Sequence, residues 1–330
     1  MQSLGREIDE LAATHAFSGV VRIDRDDEPE LAKAYGLAHR GHEIPNTVDT
    51  QFAIASGAKG FTALAVVSLI EEGALEFSTT ARSVLGQDLP LIGDDVTVEH
   101  LLSHRSGIGD YLDEDADYEI TDYVMPVPVH ELATTEQYLE ILDGHEAKFA
   151  PGEQFSYCNG GYVVLALIAE RTSGIPFHEL VRQRVCKRAG MDDSEFLRSD
   201  ELPGRAAIGY LTNDAGSRTN VLHLPVRGSG DGGIYSTVAD ISSFWSSLFA
   251  GRIVSADSLA EMVRPHSEAP GYGLGFWLDD SDVVRLEGYD AGVSFRSVHD
   301  LGRTIRYTVI SNTSDGAWPL ARFLAEKLSG

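Results

Sequence analysis

The spacing of apolar and polar residues changes along the chain. Residues 3–15 have the spacing of an amphipathic helix, and alternating segments within 17–38 predict a hairpin of two strands. From about 60 to 205, apolar residues recur mostly at helical spacing. Short alternating segments follow, and 318–328 predicts a closing helix. The pattern therefore indicates strands at both ends of the chain and helices between them.

Four helical segments and four strand segments carry this pattern most clearly. The predicted helices are 61–73, 96–107, 134–142 and 161–174, and the predicted strands are 272–280, 283–288, 293–300 and 304–313. Gly174 is placed to end its helix as a C-cap. An acidic, aromatic stretch at 109–128 fits neither period, and connections of this length are often lids or binding loops.

These elements predict an α+β fold with an antiparallel sheet completed by both termini and flanked by helices. We expect one unit over 1–330. Its sheet lobe combines 1–59 with about 206–330, and a mainly helical second lobe spans about 60–205. A cleft between two such lobes is a common place for a site.

Charge and composition narrow the classes of partner. The formal net charge of -25 disfavours nucleic acid and anionic membranes as partners, and suits a high-salt cytoplasm or a codon-biased genome equally well. No apolar run is long enough for a membrane span, and the N-terminus lacks the features of a secretion signal, so we expect a cytoplasmic protein unless the sequence is trimmed. Cys158 and Cys186 do not make a disulfide framework.

No metal site is predicted. The histidines are dispersed, and the aspartates at 113, 115 and 117 resemble a calcium loop only superficially, because the required glycine and distal glutamate are missing. The tyrosines of the same stretch, at 111, 118 and 123, either line a substrate entrance or lie on a solvated surface.

Ser56 and Lys59 are the first candidates for chemistry. Residues three apart on a helix lie on one face, and Lys59 is one of only five lysines in the chain. Burial and the positive N-terminal end of a helix both lower the pKa of a lysine, and a neutral amine beside a hydroxyl can act as its base. An arbitrary S-x-x-K is more often a helix cap beside a solvated lysine, so the motif needs support from the rest of the chain.

Several further segments resemble the serine β-lactamase and penicillin-binding-protein family, and in particular its class C-related hydrolases and esterases. They occur in the family's order and span most of the chain. The matching segments are Ser56–Lys59, 100–107 (HLLSHRSG), 151–162 (PGEQFSYCNGGY), 230–240 (GDGGIYSTVAD) and 272–277 (YGLGFW). The resemblance implies a β-lactamase-like fold.

The resemblance also assigns roles to individual residues. It implies that Tyr157 shares protons with the lysine and the serine, and that Asn159 orients the lysine and the substrate carbonyl. A charged Lys59 would lower the pKa of the Tyr157 phenol. Cys158 is expected to be a packing residue, and His104 is expected to be structural.

The family's third motif, usually K-T-G or H-x-G, departs from the pattern. We place Tyr289 at its cation, Asp290 at its threonine and Ala291 at its glycine, with Arg296 as a replacement cation if it reaches the site. A backbone N–H near Ala291 or Gly292 can still complete an oxyanion hole. Without the cation, a substrate carboxylate is poorly held.

The resemblance thus implies a serine hydrolase that forms an acyl-enzyme on Ser56, with the N–H of Ser56 in the oxyanion hole and no cofactor or metal. The expected substrate is a small ester or amide. A β-lactamase or D-Ala-D-Ala-type peptidase acting on β-lactams or peptides is the first alternative. A catalytically silent, ligand-binding member is the second. The sequence does not fix the oligomeric state.

Overall fold

A computed structural model describes residues 2–116, 118–212, 216, 218–266, 271–279 and 282–328. The strands of this part are β1 (Gly19–Arg25), β2 (Glu28–Tyr35), β3 (Leu37–His39), β4 (Ile44–Pro45), β5 (Phe52–Ala53), β6 (Tyr235–Ser236), β7 (Trp277–Asp279), β8 (Val283–Asp290), β9 (Val293–Asp300) and β10 (Ile305–Ser311). Its helices are α1 (Gln2–Thr14), α2 (Ala58–Glu71), α3 (Ala81–Leu85), α4 (Val98–Leu102), α5 (Leu139–Leu142), α6 (Asn159–Ser173), α7 (Phe177–Val181), α8 (Lys187–Ala189), α9 (Val238–Phe249), α10 (Ala256–Met262) and α11 (Ala317–Leu328).

The main sheet draws its strands from both ends of the chain. Its order is β2-β1-β10-β9-β8-β7, and each neighbouring pair is antiparallel. The predicted α+β class and the sheet completed by both termini are therefore confirmed.

Both faces of this sheet are covered. Successive residues of a strand point to opposite faces, so Val309 packs with α1 and α11 while Ile310 joins the larger core around α2. This explains why every residue of β10 is buried, although its composition is not uniformly apolar.

The helix α2 runs through the larger core. Its residues from Ala58 to Leu69 are all buried, and it packs against α6. A helix that is apolar all round lies inside a protein rather than on its surface. The N-terminus of α2 lies beside β8 and the start of α6, so this junction brings together the chemistry-bearing segments.

The region after residue 205 contains more helix than the sequence pattern indicated. The helices α9 and α10 occupy part of the stretch read as short strands, and α9 packs on β1 and β10. The segment 272–280 forms a strand only at Trp277–Asp279, and Asp280 lies outside the described residues. By contrast, α6 ends where predicted, with Gly174 in the left-handed conformation at φ 68°.

Candidate active site

Ser56 lies in a single tight turn, Ala55–Gly57, directly before α2. The turn is fixed by two backbone hydrogen bonds, from the N–H of Ile54 to the carbonyl of Ile234 at 3.0 Å and from Gly57 N–H to Ile54 O at 2.9 Å. Ala55 is buried and has a φ of +45°, a conformation unusual for a residue with a side chain. Such strain is characteristic of functional sites. Ser56 itself is only half-buried, so its hydroxyl is accessible.

Lys59 is 1% exposed and directs its amine at the nucleophile turn. Its Nζ lies 3.0 Å from Ser56 Oγ, 2.8 Å from Asn159 Oδ1 and 2.8 Å from the backbone oxygen of Asp231. Burial lowers the pKa of Lys59, while the nearby carboxylates, Asp231 first, act in the opposite direction. The predicted contact between Ser56 and Lys59 is present, and the lysine is not solvated.

Tyr157 and Asn159 stand at the start of α6 and reach the same place. The Tyr157 phenol lies close to Ser56, and the Lys59 amine lies 4.8 Å from the centre of its ring. Burial raises the pKa of Tyr157 well above its usual value, and the charge of Glu114 adds to this effect. The pKa of Tyr157 is thus raised, not lowered as expected, and desolvation of the phenol is the largest cause. Tyr157 is therefore a neutral phenol that can pass on a proton.

His104 holds the segment that carries these two residues. It is buried, has a φ of +55°, and its Nδ1 accepts the N–H of Cys158 at 3.0 Å. Its ring packs 4.2 Å from the Tyr157 ring, centre to centre. Burial lowers its pKa well below 6.5, so the imidazole is neutral and acts as a fixed acceptor. These contacts fit the predicted structural role.

Three acidic residues of the site were not identified from sequence. Asp110 accepts the N–H groups of Asn159 and Gly160 and so caps α6. Asp231 accepts the Tyr111 hydroxyl through its carboxylate, and Glu114 accepts from Asn159 Nδ2 at 3.1 Å. An aspartate flanked by glycines, as in 230–233, was the available signal for Asp231. Asp110 and Glu114 lie in the long loop, where sequence gave no such signal.

The strand beside the nucleophile is β8, and its closest residue is Gly288. A Cβ at this position would lie 2.1 Å from the carbonyl oxygen of Ile54 and 3.0 Å from the backbone nitrogens of Ser56 and Gly57. Only a glycine permits this approach, and a glycine inside a strand often marks such a contact. Gly288, rather than Ala291, is the glycine that faces the nucleophile.

The third motif therefore lies three residues earlier in the sequence than predicted, with its glycine at Gly288 rather than at Ala291. Ala291 and Gly292 form the two-residue turn between β8 and β9, with a φ of +74° at Gly292. Their N–H groups are bonded to Asp290 Oδ1 and Ser314 Oγ, each at 2.8 Å, so neither is free to hold an oxyanion. The position two residues before Gly288, where the motif has its cation, is Leu286.

Neither Leu286 nor Arg296 supplies a cation to the site. Leu286 is buried against the Gly60 position of α2. Arg296 pairs with Glu287 and lies over the Trp318 ring on the opposite face of the sheet. Arg296 therefore does not replace the missing cation.

Tyr289 and Asp290 do not occupy the cation and threonine positions of the motif that were predicted for them. The Tyr289 side chain is 42% exposed and lies near Trp318, 6.1 Å between ring centres. Asp290 and Val293 form the hydrogen-bonded pair that closes the β8–β9 hairpin. Hydrogen-bonded and non-hydrogen-bonded pairs alternate along an antiparallel ladder, so the next pair, Tyr289 and Ser294, is not hydrogen-bonded. The backbone N–H of Tyr289 therefore points away from β9. β7 pairs with β8 only at 283–285, so this N–H faces the cleft.

The long loop 109–128 forms one wall of a cavity beside Ser56. Tyr111, Tyr118 and Tyr123 line it, as one of the two sequence interpretations proposed. Asp113 and Asp115 instead face Lys148, at 2.6 and 3.2 Å, while Asp117 lies outside the described residues. Within the described ranges no cluster of three metal-ligating side chains occurs, and no helix is both long and apolar enough to span a membrane.

Comparison with known proteins supports this fold. A penicillin-binding protein from Bacillus halodurans has a solved structure that superposes with a TM-score of 0.90 at 33% identity, over 96% of this chain and 99% of that one. An octameric penicillin-binding-protein homologue from Pyrococcus abyssi gives a TM-score of 0.84 at 27% identity, over 99% of this chain and 77% of that one. The esterase EstB of Burkholderia gladioli is 27% identical over 292 residues, which cover 78% of this chain and 74% of that protein.

Two penicillin-binding proteins of Bacillus subtilis also match, but the chain spans only 62% and 64% of their length. The model of the family described as Beta-lactamase matches residues 4–322, nearly the whole sequence. The chain therefore belongs to the β-lactamase family.

Proposed function

We propose that this protein is a serine hydrolase that forms an acyl-enzyme on Ser56 and acts on small esters or amides that need no carboxylate. The observation that carries the proposal is the buried Lys59 amine, 3.0 Å from the Ser56 hydroxyl. A buried amine with a lowered pKa is a base matched to a weak nucleophile.

Acylation uses the three groups that meet at the nucleophile. Neutral Lys59 takes the proton of Ser56 as Oγ bonds to the carbonyl carbon of the substrate. The proton passes, through the Tyr157 phenol, to the departing alcohol or amine as its bond to carbon breaks. Asn159 holds the lysine in place through its Oδ1.

The oxyanion is held by two backbone N–H groups. One belongs to Ser56, at the start of the turn that leads into α2. The other is that of Tyr289, which replaces the sequence-based choice of Ala291 or Gly292. The close approach of β8 to the nucleophile turn at Gly288 supports this pairing of donors. A water molecule then attacks the ester on Ser56 and releases the acid.

The absence of a cation at Leu286 supports the choice of substrate. A β-lactam or a peptide ending in D-alanine brings a carboxylate, which meets no lysine, arginine or histidine there. The esterase among the relatives shows that the family's sequence pattern accompanies ester hydrolysis in at least one member. Efficient β-lactam turnover is the less favoured alternative.

The test compares p-nitrophenyl acetate and butyrate with the chromogenic cephalosporin nitrocefin, using the wild type and Ser56→Ala. We expect ester turnover that depends on Ser56 and much slower nitrocefin turnover. Faster nitrocefin than ester turnover would favour a β-lactamase. The absence of Ser56-dependent turnover of any substrate would contradict the proposal and favour a silent ligand-binding member.

A further inference from the structure

The long loop is strongly acidic along its first half. Residues 110–122 contain seven aspartates and glutamates and neither lysine nor arginine. Like charges this close together repel one another, which favours an open loop over one that lies against the protein. The loop nevertheless lies against the cavity beside Ser56, with Glu114 at Asn159. A counter-charge from outside the loop would stabilise this position.

The base of the loop is fixed by close backbone contacts, but the part beyond it is not. A Cβ at Gly107 would lie 2.1 Å from the carbonyl oxygen of Phe149, and the N–H of Lys148 donates to the Gly107 carbonyl at 2.7 Å. Farther along, the described residues of 110–119 form backbone-to-backbone hydrogen bonds only within the long loop. Contacts that involve side chains therefore attach this part to the rest of the protein.

Lys148 is the basic side chain that reaches the acidic stretch. Its Nζ lies 2.6 Å from Asp113 Oδ1 and 3.2 Å from Asp115 Oδ2. Among the residues that the structure describes, no other lysine or arginine forms an ion pair with 110–122. Burial acts to lower the pKa of Lys148, but the hydrogen bonds to the two aspartates outweigh it and raise this pKa, so the amine is charged.

The two aspartates flank the part of the loop that contacts Asn159. Glu114, between them in sequence, accepts a hydrogen bond from Asn159 Nδ2 at 3.1 Å, and the carbonyl of Leu112 accepts another at 2.9 Å. The other end of the same amide, Oδ1, accepts from Lys59 at 2.8 Å. Because the amide is planar, fixing its nitrogen also fixes its oxygen. The loop therefore determines where the acceptor of the Lys59 amine points.

A further contact joins the loop to the segment that leads into α6. The Ser156 hydroxyl donates to Asp115 Oδ2 at 3.2 Å, directly before Tyr157 in the chain. Asp115 is thus shared between Lys148 and Ser156. The acidic stretch is attached to the same segment, 148–156, that positions Tyr157 and Asn159.

We propose that Lys148 is a positioning residue, whose ion pairs with Asp113 and Asp115 hold the long loop across Asn159. This inference rests on the proposed function. Lys148 does not line the cavity beside Ser56 and acts on the reaction only through the loop. Without its charge the acidic stretch moves away, Asn159 Nδ2 loses its two acceptors, and the base is no longer held at the nucleophile.

The experiment compares Lys148→Met with Lys148→Arg and Lys187→Met. Methionine keeps an unbranched apolar side chain without the charge, whereas arginine keeps the charge. Lys187 is exposed on α8 and does not line the cavity, so Lys187→Met makes the same change in net charge at a distance from the loop. The substrate is the neutral p-nitrophenyl acetate, and kcat is expressed per active serine, counted by labelling to completion with a serine-directed phosphonate.

We expect Lys148→Met to lower kcat per active serine at least about fivefold and to change KM by less than about twofold, because the lost contact orients the base rather than binds the substrate. Lys148→Arg and Lys187→Met should each keep kcat within about twofold of the wild type. Glu114→Ala removes one acceptor of Asn159. If Lys148 acts through this contact, Lys148→Met should lower kcat less in the Glu114→Ala background than in the wild type.

The failures of the two proposals are distinguishable. Ser56-dependent turnover with kcat unchanged in Lys148→Met, or with a loss confined to KM, overturns the inference and leaves the serine hydrolase intact. A loss that Lys148→Arg does not restore, or equal effects of Lys148→Met in the wild type and in Glu114→Ala, also overturns it. If the wild type shows no Ser56-dependent turnover of p-nitrophenyl esters, the proposed function itself fails.

Discussion

The approach of β8 to the nucleophile turn can be tested by adding one methyl group, in Gly288→Ala. The new Cβ would lie 2.1 Å from the Ile54 carbonyl oxygen, whereas real contacts of this kind essentially never fall below 3.0 Å. Strand and turn must therefore separate by about 0.9 Å. Both atoms belong to the backbone, so no flexible side chain can absorb the displacement.

This separation moves the two proposed oxyanion donors apart. A misplacement of about 1 Å in a catalytic constellation can cost on the order of 100-fold in rate, and losing one oxyanion donor costs about 100- to 1000-fold. We therefore expect kcat/KM for p-nitrophenyl butyrate to fall by about 100-fold or more. Overpacking should also destabilise the fold by about 1–3 kcal/mol.

A matched control is Gly204→Ala, because a Cβ at Gly204 meets no atom within 4 Å. Activity and urea unfolding are measured on both variants, and the rate is corrected for the folded fraction. If Gly288→Ala keeps kcat/KM within about twofold of the wild type while folded, the placement of Gly288 against the nucleophile is refuted.

Three further predictions follow from the site. The kcat/KM for a neutral ester should rise with pH and level off at an apparent pKa below 10.5, because burial lowers the pKa of Lys59 and the neutral amine is the base. Lys59→Arg stays protonated and should be inactive. Activity of Lys59→Arg comparable to that of the wild type would contradict the assignment of Lys59 as the base. Asp290→Asn should raise the midpoint of thermal unfolding more at pH 8 than at pH 5. The folded-state pKa of Asp290 is raised from 3.8 to about 7 by burial and by the charges of Asp231 and Glu114, against the opposing charge of Lys59. The wild type therefore loses stability as pH rises from 3.8 to about 7, because the buried carboxyl must ionise. An equal gain from Asp290→Asn at pH 5 and pH 8 would contradict this explanation. Asp110→Ala should lower the free energy of unfolding in urea by about 1–2 kcal/mol, because two N–H groups of α6 lose their acceptor, whereas the exposed Asp257→Ala should lower it less. Equal losses of unfolding free energy in the two variants would count against the capping role of Asp110.

The local part of the site was predictable from sequence. Ser56 and Lys59 are three residues apart at the start of α2. Tyr157 and Asn159 are separated by one residue at the start of α6. The spacing within each pair largely determines how close its two side chains lie. Their meeting across the fold was implied by the family resemblance rather than by spacing. The φ of +45° at Ala55 had no sequence signal, because alanine rarely adopts it.

The third motif was misplaced because its position depends on strand register. A two-residue turn at Ala291–Gly292 fixes how β8 pairs with β9, and this determines which residue faces Ser56. Gly288 did carry a signal, since glycine inside a strand suggests close backbone approach. The same dependence on tertiary contacts hid three acidic residues of the site, Asp110 and Glu114 in the long loop and Asp231 in the 230–233 turn.

The helix α9 was also missed, although its start is marked. Thr237 caps it by accepting the N–H of Asp240 at 3.1 Å, a common N-terminal pattern. Its four serines make the segment look like a loop, while its apolar residues, Trp245 among them, pack into the core. Composition masked the helical spacing here.

The proposed mechanism requires that Ser56 becomes acylated. It is tested most directly by mixing the protein with p-nitrophenyl butyrate, quenching with acid within the first turnovers and measuring the intact mass, followed by peptide mapping. We expect a butyryl adduct on the peptide that contains Ser56, and no adduct in Ser56→Ala. Ester turnover accompanied by an adduct on another residue, or an adduct that persists in Ser56→Ala, would contradict it.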